Sequence, residues 1–271
     1  MIETGFSDTG RRPLKLIISL LIASGIISTS QQAIANPAWQ RVDVVRDLIG
    51  DAEPKTSGLT LNLPLVSDDG AAVALTVKAD PPADNDSYVQ SIYLFATGNP
   101  NPEIAEFHFT PHSGRAEVST RVRLNESQTV LAVARTSDNQ FRIAVHDIRV
   151  TISGCLARAD SDAGPAMDQP RLGLPRSIRN GQIIPVRTLI NHPMETGLRE
   201  DAAGNPVPRR IIENLHARLD GETVFQARLH QAISANPYVL FHLKAAPGQL
   251  EVIWTEDSGT QAGTRAAISI N

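Results

Sequence analysis

Apolar residues recur along this chain with two different periods. In residues 39–50, WQRVDVVRDLIG, Val42, Val45, Leu48 and Ile49 fall at helical spacing and a glycine closes the run, which predicts one short helix. From Leu59 onward the period changes to two. Strand-like runs are predicted at 59–63, 72–77, 89–96, 104–109, 116–124, 129–136 and 141–152, separated by turn chemistry such as Asp69-Gly70 and Pro111-His112-Ser113-Gly114. Short strands with regular turn signals predict an antiparallel sandwich of the immunoglobulin type. Residues 154–170 break the pattern with small, polar and proline residues. Strands resume at 183–190, 211–219, 223–229, 239–245, 250–255 and 265–270, with Asp220-Gly221 as a hairpin turn. The fold class is therefore all-β: two sandwiches joined by a short linker, with one N-terminal helix. The first sandwich takes 36–155, the linker 156–170 and the second sandwich 171–271.

The N-terminus reads differently. Residues 16–27, LIISLLIASGII, follow Arg11, Arg12 and Lys15 and precede Ala33-Ile34-Ala35, the charge, apolar core and small-x-small order of a secretory signal peptide over residues 1–35. About a dozen apolar residues fall short of the ~20 that span a bilayer, so no membrane anchor is expected after cleavage. Arg11-Arg12-Pro13-Leu14-Lys15 resembles a twin-arginine export signal, and general secretion is the other route. Either route predicts a periplasmic protein.

Composition narrows the chemistry. The 271 residues carry 25 Lys and Arg against 29 Asp and Glu, a net charge of −4, so no basic footprint for nucleic acid exists. The single cysteine excludes intrachain disulfides and every multi-cysteine metal site. In an oxidising compartment it reads as an intermolecular or reactive thiol. Cys155 stands in Ser153-Gly154-Cys155-Leu156-Ala157, where the last strand of the first sandwich gives way to the linker. A structural cysteine is normally a small hydrophobe inside an element, so this position favours the reactive reading.

Other polar groups carry less. His108 and His112 stand at the i, i+4 spacing that suits a metal on a helix, but their segment reads as strand then turn. Asp80, Asp84 and Asp86 read as a solvated turn, and Glu256-Asp257 as a hairpin tip. No phosphate loop, G-x-S-x-G elbow or H-E-x-x-H occurs. Neither a cofactor, a metal site nor a catalytic residue is expected.

Several segments resemble a known family. Ser91-Ile92-Tyr93-Leu94-Phe95-Ala96, Phe107-His108-Phe109-Thr110-Pro111 and Val150-Thr151-Ile152-Ser153-Gly154-Cys155 resemble the SoxY sulfur carrier. His192-Pro193-Met194-Glu195-Thr196-Gly197, Ser234-Ala235-Asn236-Pro237-Tyr238 and Trp254-Thr255-Glu256-Asp257 resemble SoxZ, its partner. Their order is that of a SoxY–SoxZ fusion, similar to the fused carriers associated with quinoprotein dehydrogenases. The resemblance implies a non-enzymatic periplasmic carrier in which Cys155 holds sulfur intermediates on an arm formed with Ser153, Gly154 and Leu156. It also implies a contact between the two domains, with His192, Met194 and Glu195 as a candidate docking surface. Partners would be periplasmic sulfur-processing and redox enzymes, among them a quinoprotein dehydrogenase or a cytochrome. The alternative is an accessory module of such a dehydrogenase that makes no use of the thiol. Two departures matter: the arm reads Ser153-Gly154-Cys155-Leu156-Ala157 instead of carrying glycine on both sides of the cysteine, and it is internal rather than terminal.

Overall fold

Alternating burial along each strand shows how the sequence pattern becomes two layers. In β3 (Val73–Ala79), Val73, Leu75, Val77 and Ala79 turn inward while the residues between them face out. The computed structural model describes Gly5 and residues 37–83, 86–153, 167–201 and 203–270. The expected signal peptide lies outside the described residues except for Gly5. Pro37–Asn271 forms one compact unit.

The first half contributes β1 (Leu59–Asn62), β2 (Val66–Ser67), β3, β4 (Val89–Ala96), β5 (Glu103–Phe109), β6 (Ala116–Val122), β7 (Gln128–Thr136) and β8 (Phe141–Val150). The second contributes β9 (Asp168–Gly173), β10 (Ile183–Asn191), β11 (Ile212–Leu219), β12 (Glu222–Leu229), β13 (Tyr238–Lys244), β14 (Gly248–Glu256) and β15 (Gln261–Ile268). They form a six-stranded sheet in the order β1-β3-β6-β13-β10-β9 and a nine-stranded sheet in the order β15-β14-β11-β12-β5-β4-β7-β8-β2.

Both sheets therefore run through both halves. In the larger one β12 pairs antiparallel with β5, from Phe225 opposite Phe109 to Leu229 opposite Ala105. In the smaller one β13 pairs with β6 at Val239 opposite Thr120 and Leu240 opposite Ser119. The expected pair of sandwiches is present as two halves of one double layer. The physical reason is the edge: left alone, β5 and β12 would each expose a row of backbone donors and acceptors, and each edge satisfies the other. The core is continuous across the seam. Phe225 of β12 stacks on Phe241 of β13 at 4.4 Å between ring centroids and meets Phe107 and Phe109 of β5 at 6.1 and 5.6 Å.

The helix appears in two pieces, a 3-10 turn over Ala38–Arg41 and α1 (Asp43–Ile49). Gly50 ends it at φ 60°, a left-handed position that glycine takes without strain. Val45 and Ile49 of α1 bury Phe95, Leu131, Val133 and Ile143 on the outer face of the nine-stranded sheet. That cover explains why β4 and β7 read as nearly continuous apolar runs: both of their faces are buried. Two strands depart from the sequence pattern. β2 is two residues long and pairs in parallel with β8, too short to show alternation. β9 takes in Asp168–Pro170, which the sequence placed in the linker, because backbone pairing with β10 needs no apolar period.

Candidate functional site

The arm expected around Cys155 starts from β8. Beyond Val150 the chain is held by β2 and the loop that follows it: Thr151 N–H donates to Ser67 O at 3.0 Å, and Ile152 O accepts from Gly70 N–H at 2.9 Å. Ser153 is the last described residue before Met167. Gly154, Cys155 and Leu156 lie outside the described residues. What the structure describes is the base of the arm, and that base is apolar and open. Leu65, Val66 and Ile152 are 74%, 53% and 57% exposed, a clustering of large apolar side chains at one sheet edge. One residue, Gly154, separates Ser153 from Cys155, so the chain holds their Cα atoms within about 7 Å of each other.

The HPMETG segment is placed elsewhere and does something other than present a surface. His192 is buried, with Met194 N–H donating to its Nδ1 at 3.0 Å. That bond fixes the tautomer: Nε2 carries the hydrogen and donates to Glu256 Oε1 at 2.9 Å. Met194 adopts φ 51° and is fully buried, with its Sδ accepting from Ile212 N–H at 3.2 Å. Glu195 binds Arg199, 2.8 Å from Nη2. His192 and Met194, the expected docking residues, are buried, and their side chains have almost no outward surface. The loop does dock, but inward. Arg123, on the first half, donates to Pro193 O at 3.0 Å and Met194 O at 2.6 Å, clamping the loop's backbone to the seam.

Glu256 is the residue the hairpin-tip reading missed. Its carboxylate accepts from His192, from Arg210 Nε at 2.9 Å and from Ser258 Oγ at 2.6 Å. Burial works against its ionisation, but the bonds from Ser258 and His192 and the charge of Arg210 prevail and hold its pKa below the usual carboxylate value. One signal was available: HPMETG and WTED both carry the family resemblance in the second half, and they meet here. SANPY joins them, with Asn236 Oδ1 accepting from His192 N–H at 3.0 Å. The three blocks form one buried polar knot, a structural task.

The two histidines of the i, i+4 pair separate as the strand-and-turn reading expects. His108 stands on β5 beside Glu106, 3.7 Å from its carboxylate, while His112 is exposed in the turn that follows. No group of three metal-binding side chains occurs among the described residues. Glu106 also lies 3.5 Å from His230 and 3.6 Å from Arg228. The nearness of His108 and His230, aided by the charge of Arg228, holds it well below the usual carboxylate value against the effect of burial.

These shifts fix the sign of the acid response. Burial is the leading cause that holds His192, His216 and His242 below the ordinary value of 6.5. As pH falls, the unfolded chain takes up these protons before the folded one, so stability is full above about pH 6.5 and declines below it. Glu106 and Glu256, depressed from 4.5, contribute stability above that value and lose it as pH falls through their folded values. Melting temperatures measured by circular dichroism should fall steadily between about pH 7.5 and pH 4. A melting temperature that rises on acidification contradicts these assignments.

Two family profiles match the chain. One, sulfur oxidation protein SoxY, matches residues 45–155, and the other, sulphur oxidation protein SoxZ, matches residues 173–267. No curated protein matches. Among solved structures, the sulfur carrier protein SoxY from Chlorobium limicola f thiosulfatophilum is 25% identical over 41% of this chain and 94% of its own, with a TM-score of 0.34. A superoxide reductase (neelaredoxin) from Ignicoccus hospitalis is 20% identical over 35% of this chain and 81% of its own, with a TM-score of 0.31. No helix among the described residues is long and apolar enough to cross a membrane.

Proposed function

Because the chain belongs to the SoxY and SoxZ sulfur-oxidation families, one domain of each in a single polypeptide, we propose that it is a periplasmic carrier of sulfur intermediates on Cys155. The observation that carries this reading is a coincidence of position: the SoxY match ends on the chain's single cysteine. The resemblance block Val150 to Cys155 starts at the last residue of β8, a strand paired with β7 from Phe141 to Ile148.

A carrier thiol must form and break bonds to sulfur without being consumed. The thiolate attacks a sulfur–sulfur bond of a polythionate, a new bond to Sγ forms, and thiosulfate leaves with the displaced electron pair. Loading from thiosulfate itself releases two electrons and a proton, so it needs a redox partner of the cytochrome class as acceptor. The short distance between Ser153 and Cys155 means that such a partner has to approach the edge formed by β2 and β8. Leu65, Val66 and Ile152 supply an apolar rim for that approach. The SoxZ domain acts as a frame, since its strands complete both sheets and its HPMETG loop is tied to Arg123.

The test uses tetrathionate, which needs no added oxidant. The reduced protein should release close to one equivalent of thiosulfate per chain, and Cys155→Ser should release none. Equal release from both proteins would remove Cys155 from the reading. The second reading, an accessory module of a quinoprotein dehydrogenase, rests on the block order alone and predicts that Cys155→Ser supports the dehydrogenase as well as the native chain does.

A further inference from the structure

α1 covers the outer face of the nine-stranded sheet over β4, β7 and β8, but not where the sheet crosses from β5 to β12 and β11. There the outer face forms a groove of about 560 Å³, lined by strands of both halves. The register sets out its floor in rows. His216 of β11, Gln226 of β12 and His108 of β5 stand side by side in one row. Arg228 lies in the row on one side, opposite Glu106, and Arg218 in the row on the other side, opposite Thr223. Alternate residues on a strand are about 6.6 Å apart, so the two arginines flank the central row within reach of an object lying over it.

The charges there are poorly balanced. Glu106 is the groove's one carboxylate against two arginines, and it is divided among His108, His230 and Arg228 at 3.5–3.7 Å. Arg218 has no carboxylate within ion-pairing distance among the described residues. Its Nη2 donates instead to Nδ1 of His216 at 3.1 Å, which spends a charged donor on a neutral imidazole. The carboxylate opposite it, Glu251, is held by Arg265, 2.7 Å from Nε. His216 Nε2 lies 2.8 Å from Thr223 Oγ1 and 3.1 Å from Gln226 Nε2, so the imidazole and amide form the floor, and the excess guanidinium charge with little competing carboxylate is what attracts a compact anion.

We infer that this groove binds a small doubly charged oxyanion of the sulfate and thiosulfate class, held between Arg218 and Arg228 over His216 and Gln226. Its volume accommodates such an ion with water around it. The site is separate from the thiol. β12 is four strands from β8, roughly 19 Å, whereas Cys155 lies within about 7 Å of Ser153 by Cα distance. An oxyanion here is held without covalent chemistry. The inference does not depend on the carrier reading, and the experiment keeps the two apart.

The test is isothermal titration of the full chain under reducing, low-chloride conditions with sulfate, thiosulfate and inorganic phosphate. Saturable binding at one site is expected, equal in the native protein and in Cys155→Ser. Loss of either arginine's charge-assisted bonds in Arg218→Gln or Arg228→Gln should weaken it about tenfold or more, and Arg218→Lys should recover part of the loss. Unchanged melting profiles for these variants establish that they fold. Preference for thiosulfate or sulfate over phosphate assigns the site to sulfur species, and equal affinities assign it to tetrahedral dianions in general; both outcomes support it. The inference is overturned if no saturable binding occurs, if both Gln variants bind like the native chain, or if Cys155→Ser abolishes binding.

Discussion

Phe225→Ala should lower the stability of the whole unit, and not only of the second half, by about 3–5 kcal/mol. Phe225 is fully buried where the two halves meet, stacked on Phe241 from its own half and packed against Phe107 and Phe109 from the other. Truncation removes a large apolar surface and leaves a cavity bounded by three rings on two strands of opposite halves, which limits how far the site can collapse. Because both sheets pass through the seam, urea unfolding followed by fluorescence and by circular dichroism should show one shared transition at a lower midpoint. Two separated transitions in the native protein would mean that the halves unfold independently and that the shared strands contribute little.

Glu256→Ala should cost about 3 kcal/mol, a fall of roughly 10 °C in melting temperature for a chain of this size. The carboxylate is the acceptor for His192 Nε2–H, whose side chain is wholly buried, and for Arg210 Nε. Without it the imidazole keeps a hydrogen with no acceptor, and a guanidinium loses its ion pair. Glu256→Gln retains an acceptor for His192 and should cost distinctly less than Glu256→Ala. Equal losses would show that packing, not the polar knot, is what the residue supplies.

The sequence pattern reveals the strands well because most of them face water on one side, and alternation is the signature of that arrangement. Ile183 to Ile190 alternates along its length and appears as β10. β4 and β7 were also legible, although covered by α1, since their β-branched and aromatic runs are bounded by turns. What alternation cannot report is which edge meets which. The pairing of β5 with β12 and of β6 with β13 depends on residues more than a hundred positions apart, and neither strand carries a local sign of its partner. The same limit applies to the polar groups. His192 looked like a loop residue fit for recognition because local sequence shows a histidine among turn formers. Its burial follows from Glu256 and Asn236, which only the fold brings beside it. The groove between Arg218 and Arg228 was equally hidden, being made of residues from five strands and both halves. The thiol lies outside the described residues, and what the structure adds is the apolar rim around the end of β8, the strand from which the sequence runs on to it.

The reading of Cys155 as a sulfur carrier depends on use, and reactivity in a tube is not use. The direct measurement is intact mass of the native chain and of Cys155→Ser, each isolated without reductant from the cells that make it during growth on thiosulfate. The native chain should contain a population heavier by sulfur or thiosulfate units that thiol reductants discharge, and Cys155→Ser should contain none. Native protein that carries no sulfur adduct under those conditions, while the same cells oxidise thiosulfate, would contradict the account.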